Sequence, residues 1–303
     1  MRSTVTLARR PGQLDTPSER GNRSPARCIR PCAPGAVAAC HRIGAVNQDL
    51  AFALELADLA DAVTSEHFRS PALAVESKAD LTPVTVADSR TEQALREAIA
   101  RARPGEAVLG EESGAAGEGE GTARWIVDPI DATRNYVRGI PVYATLIALE
   151  RDGALQAAVV SAPMLGCRWW AARGEGAFAG GRRVSVSRVA ELEEATFSHG
   201  GARTFAELGL APRFLALARR AQVERGFGDF WQHMLVAEGR IEFALDPLAE
   251  IWDLAAVQLI VEEAGGRFTD FEGAARPDGG SGVSSNGLVH DEVLAALGRE
   301  RPH

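Results

Sequence analysis

Trp125-Ile126-Val127-Asp128-Pro129-Ile130-Asp131-Ala132-Thr133 is the stretch whose reading decides the fold. Three bulky apolar residues predict a short buried strand. The strand runs into Asp128, Pro129 predicts a turn, and Asp131 follows three residues on, so two carboxylates converge with the carbonyl of Ile130 exposed between them. Beyond that turn the N–H groups of Ala132 and Thr133 point outward, as at a helix N-terminus, which attracts phosphate. Hard oxygen ligands beside an anion cradle are what Mg²⁺ needs for phosphate chemistry. Taken alone, the two acids also fit an N-cap and a turn residue.

Three further carboxylate segments flank this one. Val108-Leu109-Gly110-Glu111-Glu112-Ser113 is an apolar strand running into two acids. Ile251-Trp252-Asp253 opens a helix that ends at Gly265-Gly266, and Asp253 in its first turn also suits the helix dipole. Lys78-Ala79-Asp80-Leu81-Thr82-Pro83-Val84-Thr85-Val86-Ala87-Asp88 carries the sole lysine of a chain with 32 arginines. Ser89-x-x-Glu92 reads as a capping box for a helix continuing through Leu95 and Ile99.

Around these segments the pattern is mixed. Phe52, Leu56, Leu59 and Val63 recur at helical spacing, predicting a helix over about 47–66. Two apolar runs, 142–149 and 155–160, flank Arg151-Asp152-Gly153 and predict a hairpin. Strands are expected over 168–172, 183–186, 241–245 and 267–271. Helices are expected near 212–222, 228–239, 252–264 and 290–298. Residues 113–124 predict a Gly-rich surface loop. Strands bunched early and alternating elements later predict an α+β fold, its N-terminal half ending near 185 and an α/β half following.

The 303 residues are 46% hydrophobic and 24% charged, which excludes wholesale disorder, and no apolar run is long enough for a membrane helix. Residues 1–45 hold eight Arg against two acids, a balance of +6, so the remainder carries −14 to give the net charge of −8. A body that acidic is a poor nucleic-acid binder and must supply its own cations for an anionic substrate. The first 45 residues read as a disordered Arg/Pro-rich extension, from a start codon placed too early, ahead of a catalytic body over 46–303. Cys28-x3-Cys32-x7-Cys40-His41 is only loosely zinc-like and is assigned no chemistry. Cys167 alone falls in the body, which points to a reducing cytoplasm.

Together, Gly110-Glu111-Glu112-Ser113, Asp128-Pro129-Ile130-Asp131-x-Thr133, Trp252-Asp253-x-Ala255-Ala256 and Thr85-x-x-Asp88 resemble the inositol monophosphatase superfamily, in order and spacing, across residues 47–298. The resemblance implies a Mg²⁺-dependent, lithium-sensitive phosphomonoesterase with an αβαβα layered sandwich, usually a homodimer. It implies two or three Mg²⁺ ions held by Glu111, Asp128, Asp131, Asp253 and the carbonyl of Ile130. Thr133, paired with Asp88, would orient and activate the attacking water. Ala132 and Thr133 would meet the phosphate, and Asp246 holds the place of a substrate-contacting acid. Two ions about 3.5–4 Å apart would stabilise both attacking and leaving oxygens in an in-line displacement. One position departs: the family usually has Gly where this chain has Ala132, and Ala fits there if its φ is negative.

Arg138-Gly139-Ile140-Pro141-Val142-Tyr143, Ser161-Ala162-Pro163, the run from Arg168 to Ala177 and Gly228-Asp229-Phe230-Trp231 are more similar to the histidinol-phosphatase branch. That branch implies hydrolysis of the small-molecule monoester L-histidinol phosphate, whose ammonium and imidazole suit acidic and aromatic contacts such as Asp246, Asp229 and Trp231. The alternatives are an inositol-1-phosphatase, a nucleotide or sugar phosphatase on the same metals, or a catalytically silent binding subunit. Ser198-His199-Gly200-Gly201-Ala202-Arg203 matches no branch pattern.

Overall fold

The computed structural model describes residues 47–70, 75–77, 83–116 and 123–298. The expectations for 1–45, for Lys78 and its neighbours over 78–82, and for the middle of the 113–124 loop, residues 117–122, fall outside those residues, whereas Gly114–Ala116 and Ala123 onward are strands and not loop.

Helix α1 (Gln48–His67) opens on Asn47, whose side chain accepts the N–H groups of Asp49 and Leu50. It buries Leu50, Ala53, Leu56, Ala57 and Ala60 at helical spacing, but of the expected stripe only Leu56 is on that face, and Phe52, Leu59 and Val63 are half-buried beside it. Strands β1 (Val75–Ser77) and β2 (Pro83–Thr85) pair antiparallel, and α2 (Val86–Ala102) follows directly. The capping box lies a turn earlier than Ser89-x-x-Glu92. Thr85 is the N-cap and Asp88 its reciprocal partner, because Thr85 Oγ1 accepts from Ala87 N and Asp88 Oδ2 accepts from Thr85 N. Ser89 is already helical, and Glu92 is free for another task.

An eight-stranded sheet comprises β3 (Ala107–Gly110), β4 (Gly114–Ala116), β5 (Ala123–Asp131), β6 (Ala144–Arg151), β7 (Ala154–Ala162), β8 (Cys167–Ala172), β9 (Gly176–Ala179) and β10 (Arg182–Arg183). Its order is β10-β9-β8-β7-β6-β5-β3-β4, antiparallel except for the parallel pair β3/β5. Side chains alternate faces along each strand. Trp125, Val127, Ile147, Leu149, Val159 and Trp170 pack with Leu50, Leu56, Leu95 and Ile99 beneath α1 and α2. Ile126, Leu146, Val160 and Trp169 face the other way, against α6 (Asp229–Ala237) and α7 (Ile251–Glu263). The predicted hairpin is β6/β7, with Asp152 and Gly153 at its turn. The strand expected over 183–186 is only the two-residue β10, and β9 was not anticipated.

A second sheet lies across α6 and α7, with strand order β12-β11-β13-β15-β14. It is made of β11 (Thr196–His199), β12 (Val223–Arg225), β13 (Phe243–Asp246), β14 (Arg267–Thr269) and β15 (Gly282–Ser285). On its far face Phe197, Phe243 and Leu245 pack against Phe205 and Phe214 from α4 (Ala202–Glu207) and α5 (Ala211–Arg220), and against Leu294 from α8 (His290–Ala296). The succession helix, sheet, helix, sheet, helix is the expected αβαβα sandwich. Among the described residues no helix is long and apolar enough to cross a membrane.

Candidate active site

Pro129 does not end the strand. β5 continues to Asp131 with a bulge: Asp128 pairs with Leu146, Asp131 with Ala144, and the register slips between them. A bulge is where a strand tolerates Pro, since the extra residue leaves the ladder and no N–H is missed. Thr145 Oγ1 ties the bulge down by donating to the carbonyl of Pro129 at 2.8 Å. Asp128 Oδ1 accepts the N–H of Ile130 at 2.9 Å, which turns that carboxylate back over the bulge. The carbonyl of Ile130 is not left exposed; Thr133 Oγ1 donates to it at 2.9 Å, using one of its two lone pairs.

The bulge brings Asp128 and Asp131 together with Asp253, one oxygen of each within 4.8 Å of the others. Asp253 comes from the first turn of α7, where its Oδ2 accepts Glu250 N at 2.8 Å. Asp131 Oδ2 accepts Phe230 N at 2.7 Å, from the first turn of α6. Glu111, just beyond β3, lies beside Asp128 and Asp253, which feel its charge. Burial, then Glu111, Asp131 and Asp253, push the Asp128 carboxyl well above the usual carboxylate range. Burial, then Asp229 and Asp253, do the same to Asp131. Asp253 is pushed up to about 7, mainly by burial. Like charges crowded this closely are unfavourable until a cation joins them. Four carboxylates and a spare carbonyl lone pair are the hard oxygen donors a divalent ion takes. The residues fit such an ion.

Asp88 is buried at the start of α2, and Glu111 lies close enough for its charge to act on it. Its Oδ2 is engaged by Thr85, whereas its Oδ1 is buried and has no hydrogen-bond partner among the described residues. Burial, followed by the Glu111 charge, lifts its pKa to about 6. The expected Asp88–Thr133 pair is not hydrogen-bonded, because the capping box holds Asp88 and the Ile130 carbonyl holds Thr133.

Ala132 departs from the sequence expectation in its backbone. It sits at φ +65, ψ +43, the left-handed conformation that Gly adopts without strain. Asn135 N and Tyr136 N both bond its carbonyl and lock the short helix α3 (Thr133–Val137) onto it. An L-residue there costs about 1–2 kcal/mol. Ala132→Gly is therefore expected to raise stability, by less than about 1 kcal/mol once the freer unfolded chain is counted. Its Mg²⁺ dependence should persist. Thermal unfolding and turnover with and without Mg²⁺ check both, and loss of the Mg²⁺ response would refute the reading.

A cleft of about 390 Å³ opens over the cluster, lined by Glu111, Asp131, Asp253 and residues 132–135 and, from the second sheet and α6, by Gly200, Asp229 and Asp246. Asp229 is pushed up to about 6 by burial and then by Asp246, and Arg134 and His233 oppose that shift. Trp231 packs against Phe227, ring centroids 5.0 Å apart, and is not among the lining residues.

Sequence reasoning missed two supports. Gly200, from the unplaced 198–203 segment, lies where a Cβ would overlap Asp246 Oδ1. Glu92, first read as a capping partner, is buried and accepts Glu112 N at 2.8 Å and Ser113 N at 3.0 Å, clamping the loop that carries Glu111. Arg96 completes the clamp by donating to Glu92 Oε1 at 2.9 Å and to the carbonyls of Val108 and Gly114. Glu92→Gln leaves one part-buried N–H of this loop without its acceptor and is expected to cost about 1 kcal/mol. The Mg²⁺ concentration for half-maximal turnover should rise with it. Denaturant unfolding and a Mg²⁺ titration check the pair.

The chain is similar to known proteins over most of its length. The histidinol-phosphatase of Mycobacterium tuberculosis is 50% identical over 256 residues, 83% of this chain and 98% of the relative. The crystal structure of extragenic suppressor protein suhB from Bartonella henselae superposes with a TM-score of 0.78 at 30% identity, covering 83% of this chain and 99% of that one. An IMPase/NADP phosphatase complexed with Mg²⁺ and phosphate superposes at 0.72 and 25% identity, covering 82% and 94%. Residues 46–301 match the inositol monophosphatase family as a whole. By its bulged carboxylate strand, its layered sheets and this match, the chain belongs to the inositol monophosphatase family.

Proposed function

We propose that this phosphatase hydrolyses L-histidinol phosphate to L-histidinol and phosphate, a step of histidine biosynthesis. The observation that carries the reading is that one cleft is lined both by Glu111, Asp131 and Asp253, with Asp128 buried within 4.8 Å of the two aspartates, and by a second acidic pair, Asp229 and Asp246. The first suits a metal-bound phosphate. The second suits an alcohol that carries a cation, as histidinol does and a polyol does not. The 50% identical relative is itself a histidinol-phosphatase.

Glu111, Asp128, Asp131, Asp253 and the free lone pair of the Ile130 carbonyl would hold Mg²⁺. When bound, it neutralises the phosphate oxygens and stabilises the charge that develops as the ester bond breaks. The chain's own groups do the rest. The N–H groups of Ala132 and Thr133, joined by that of Arg134 in the first turn of α3, would bind the phosphate. Thr133 Oγ positions the attacking water, and Asp88, a carboxylate above about pH 6 whose Oδ1 has no partner among the described residues, takes its proton. The water oxygen bonds to phosphorus, the P–O ester bond breaks, and the leaving alcohol oxygen takes up a proton from solvent.

The same reading includes 46–303 as the catalytic body, a homodimer, and a cytoplasmic location. A substrate panel tests it: phosphate release from L-histidinol phosphate, inositol-1-phosphate and 3′-phosphoadenosine-5′-phosphate, with Mg²⁺ and with chelator. The expected result is Mg²⁺-dependent turnover, with kcat/KM highest for histidinol phosphate. A preference for inositol-1-phosphate would overturn the substrate assignment. No Mg²⁺-dependent turnover of any ester would overturn the enzyme.

A further inference from the structure

Asp246 does not stand alone at the end of β13. Gln232 Nε2 donates to its Oδ1 at 2.7 Å, and His233 Nε2 lies 2.7 Å from its Oδ2. Because an ionised carboxylate only accepts, the proton in the latter contact sits on His233 Nε2. The other ring nitrogen, Nδ1, is 2.7 Å from Ser284 Oγ, on the strand that pairs with β13 so that Ala244 faces Ser284. Gln232, His233 and Ser284 are at most 1% exposed, and none of them lines the cleft. The network engages both oxygens of the Asp246 carboxylate from the buried side. Gly200, having no Cβ, leaves the room that Asp246 Oδ1 occupies.

A carboxylate meant only to fill space, or only to accept a hydroxyl, does not need both oxygens fixed by buried donors. One meant to meet a cation in a set direction does, since a mobile acid in this cleft would instead swing toward any ion held by Asp131 and Asp253. Asp246 already feels both groups: its charge acts on Asp131 and on Asp253. We infer that the buried Ser284–His233 relay, with Gln232, positions Asp246 as the selector for the ammonium-bearing alcohol of the substrate. His233 is thus a specificity-positioning residue that touches neither phosphate nor metal. This rests on the histidinol phosphate reading above.

The test compares L-histidinol phosphate with 2-glycerophosphate, whose alcohol carries no cation, at saturating Mg²⁺. His233→Leu removes the donor and His233→Gln returns one. For His233→Leu the KM for histidinol phosphate is expected to rise about tenfold more than the KM for 2-glycerophosphate, with the kcat ratio between the two esters little changed. His233→Gln should recover most of that difference. Ser284→Ala, which deletes only one buried hydroxyl, should move the ratio in the same direction by a few-fold, and it serves where His233→Leu does not fold. Equal losses on both esters, or no loss on either, would overturn the relay while leaving the substrate reading intact. A wild-type enzyme that does not prefer histidinol phosphate would instead overturn that reading.

Discussion

Asp128→Asn is expected to reduce kcat by on the order of 10³-fold while the protein still folds. The asymmetry follows from what Asp128 does on each side. Its Oδ1 accepts the Ile130 N–H that shapes the bulge, and an Asn side-chain carbonyl can accept the same bond, so β5 and Thr133 keep their places. Its charge is another matter. Asp128 is buried among Glu111, Asp131 and Asp253, and its carboxyl is pushed well up by that company. Losing one of four crowded negative charges relieves repulsion, so the metal-free variant should be at least as stable as wild type. The same loss removes a central anionic donor for a divalent ion, and with it the neutralisation of the phosphate. Circular dichroism, thermal unfolding and phosphate release on one preparation check the split. Near-normal turnover would refute Asp128 as a ligand, and a collapsed fold would refute the account of the bulge.

The second large effect is a dependence of stability on pH that Mg²⁺ cancels. In the folded chain Asp253 is lifted to about 7, Asp88 and Asp229 to about 6, and Asp128 and Asp131 in the same direction, chiefly by burial. An unfolded Asp titrates near about 3.9. Between these values the folded state binds more protons than the unfolded one, so stability falls as pH rises through about 6 and 7. The chelated protein is therefore expected to melt at least about 5 °C lower at pH 8 than at pH 5.5. Millimolar Mg²⁺, binding only the folded state, should remove most of that deficit at pH 8 and have less effect at pH 5.5, where protons already occupy the cluster. A melting temperature that rises with pH in chelator, or that ignores Mg²⁺ at pH 8, would contradict the carboxylate cluster as a cation site.

The sandwich was readable in the sequence because its large elements follow simple periods. α1 buries one face at helical spacing, and β5 to β8 alternate between two cores, Trp169 going to one and Trp170 to the other. β11, β12 and β15 were not readable. They are three or four residues long, and Gly282-Val283-Ser284-Ser285 buries two hydroxyls that answer His233 and His290 rather than an apolar face. At the site, the carboxylates announced themselves by clustering at the ends of short apolar runs. Their supports did not. Glu92 reaches the Glu111 loop across 20 residues, and Ser284 reaches His233 across 51, separations at which no local pattern exists. The conformation of Ala132 was missed for a different reason. Its positive φ is imposed by the bulge and by α3, whereas the residue type argues for the opposite sign.

The most direct test of the central claim is a single experiment on L-histidinol phosphate. Phosphate release is followed in chelator, then after Mg²⁺ is restored, on wild type and Asp128→Asn side by side. Wild type should be silent in chelator and recover on Mg²⁺ addition, while Asp128→Asn stays near background in both. Turnover that persists in chelator, or wild type that remains silent with Mg²⁺ present, would contradict the account.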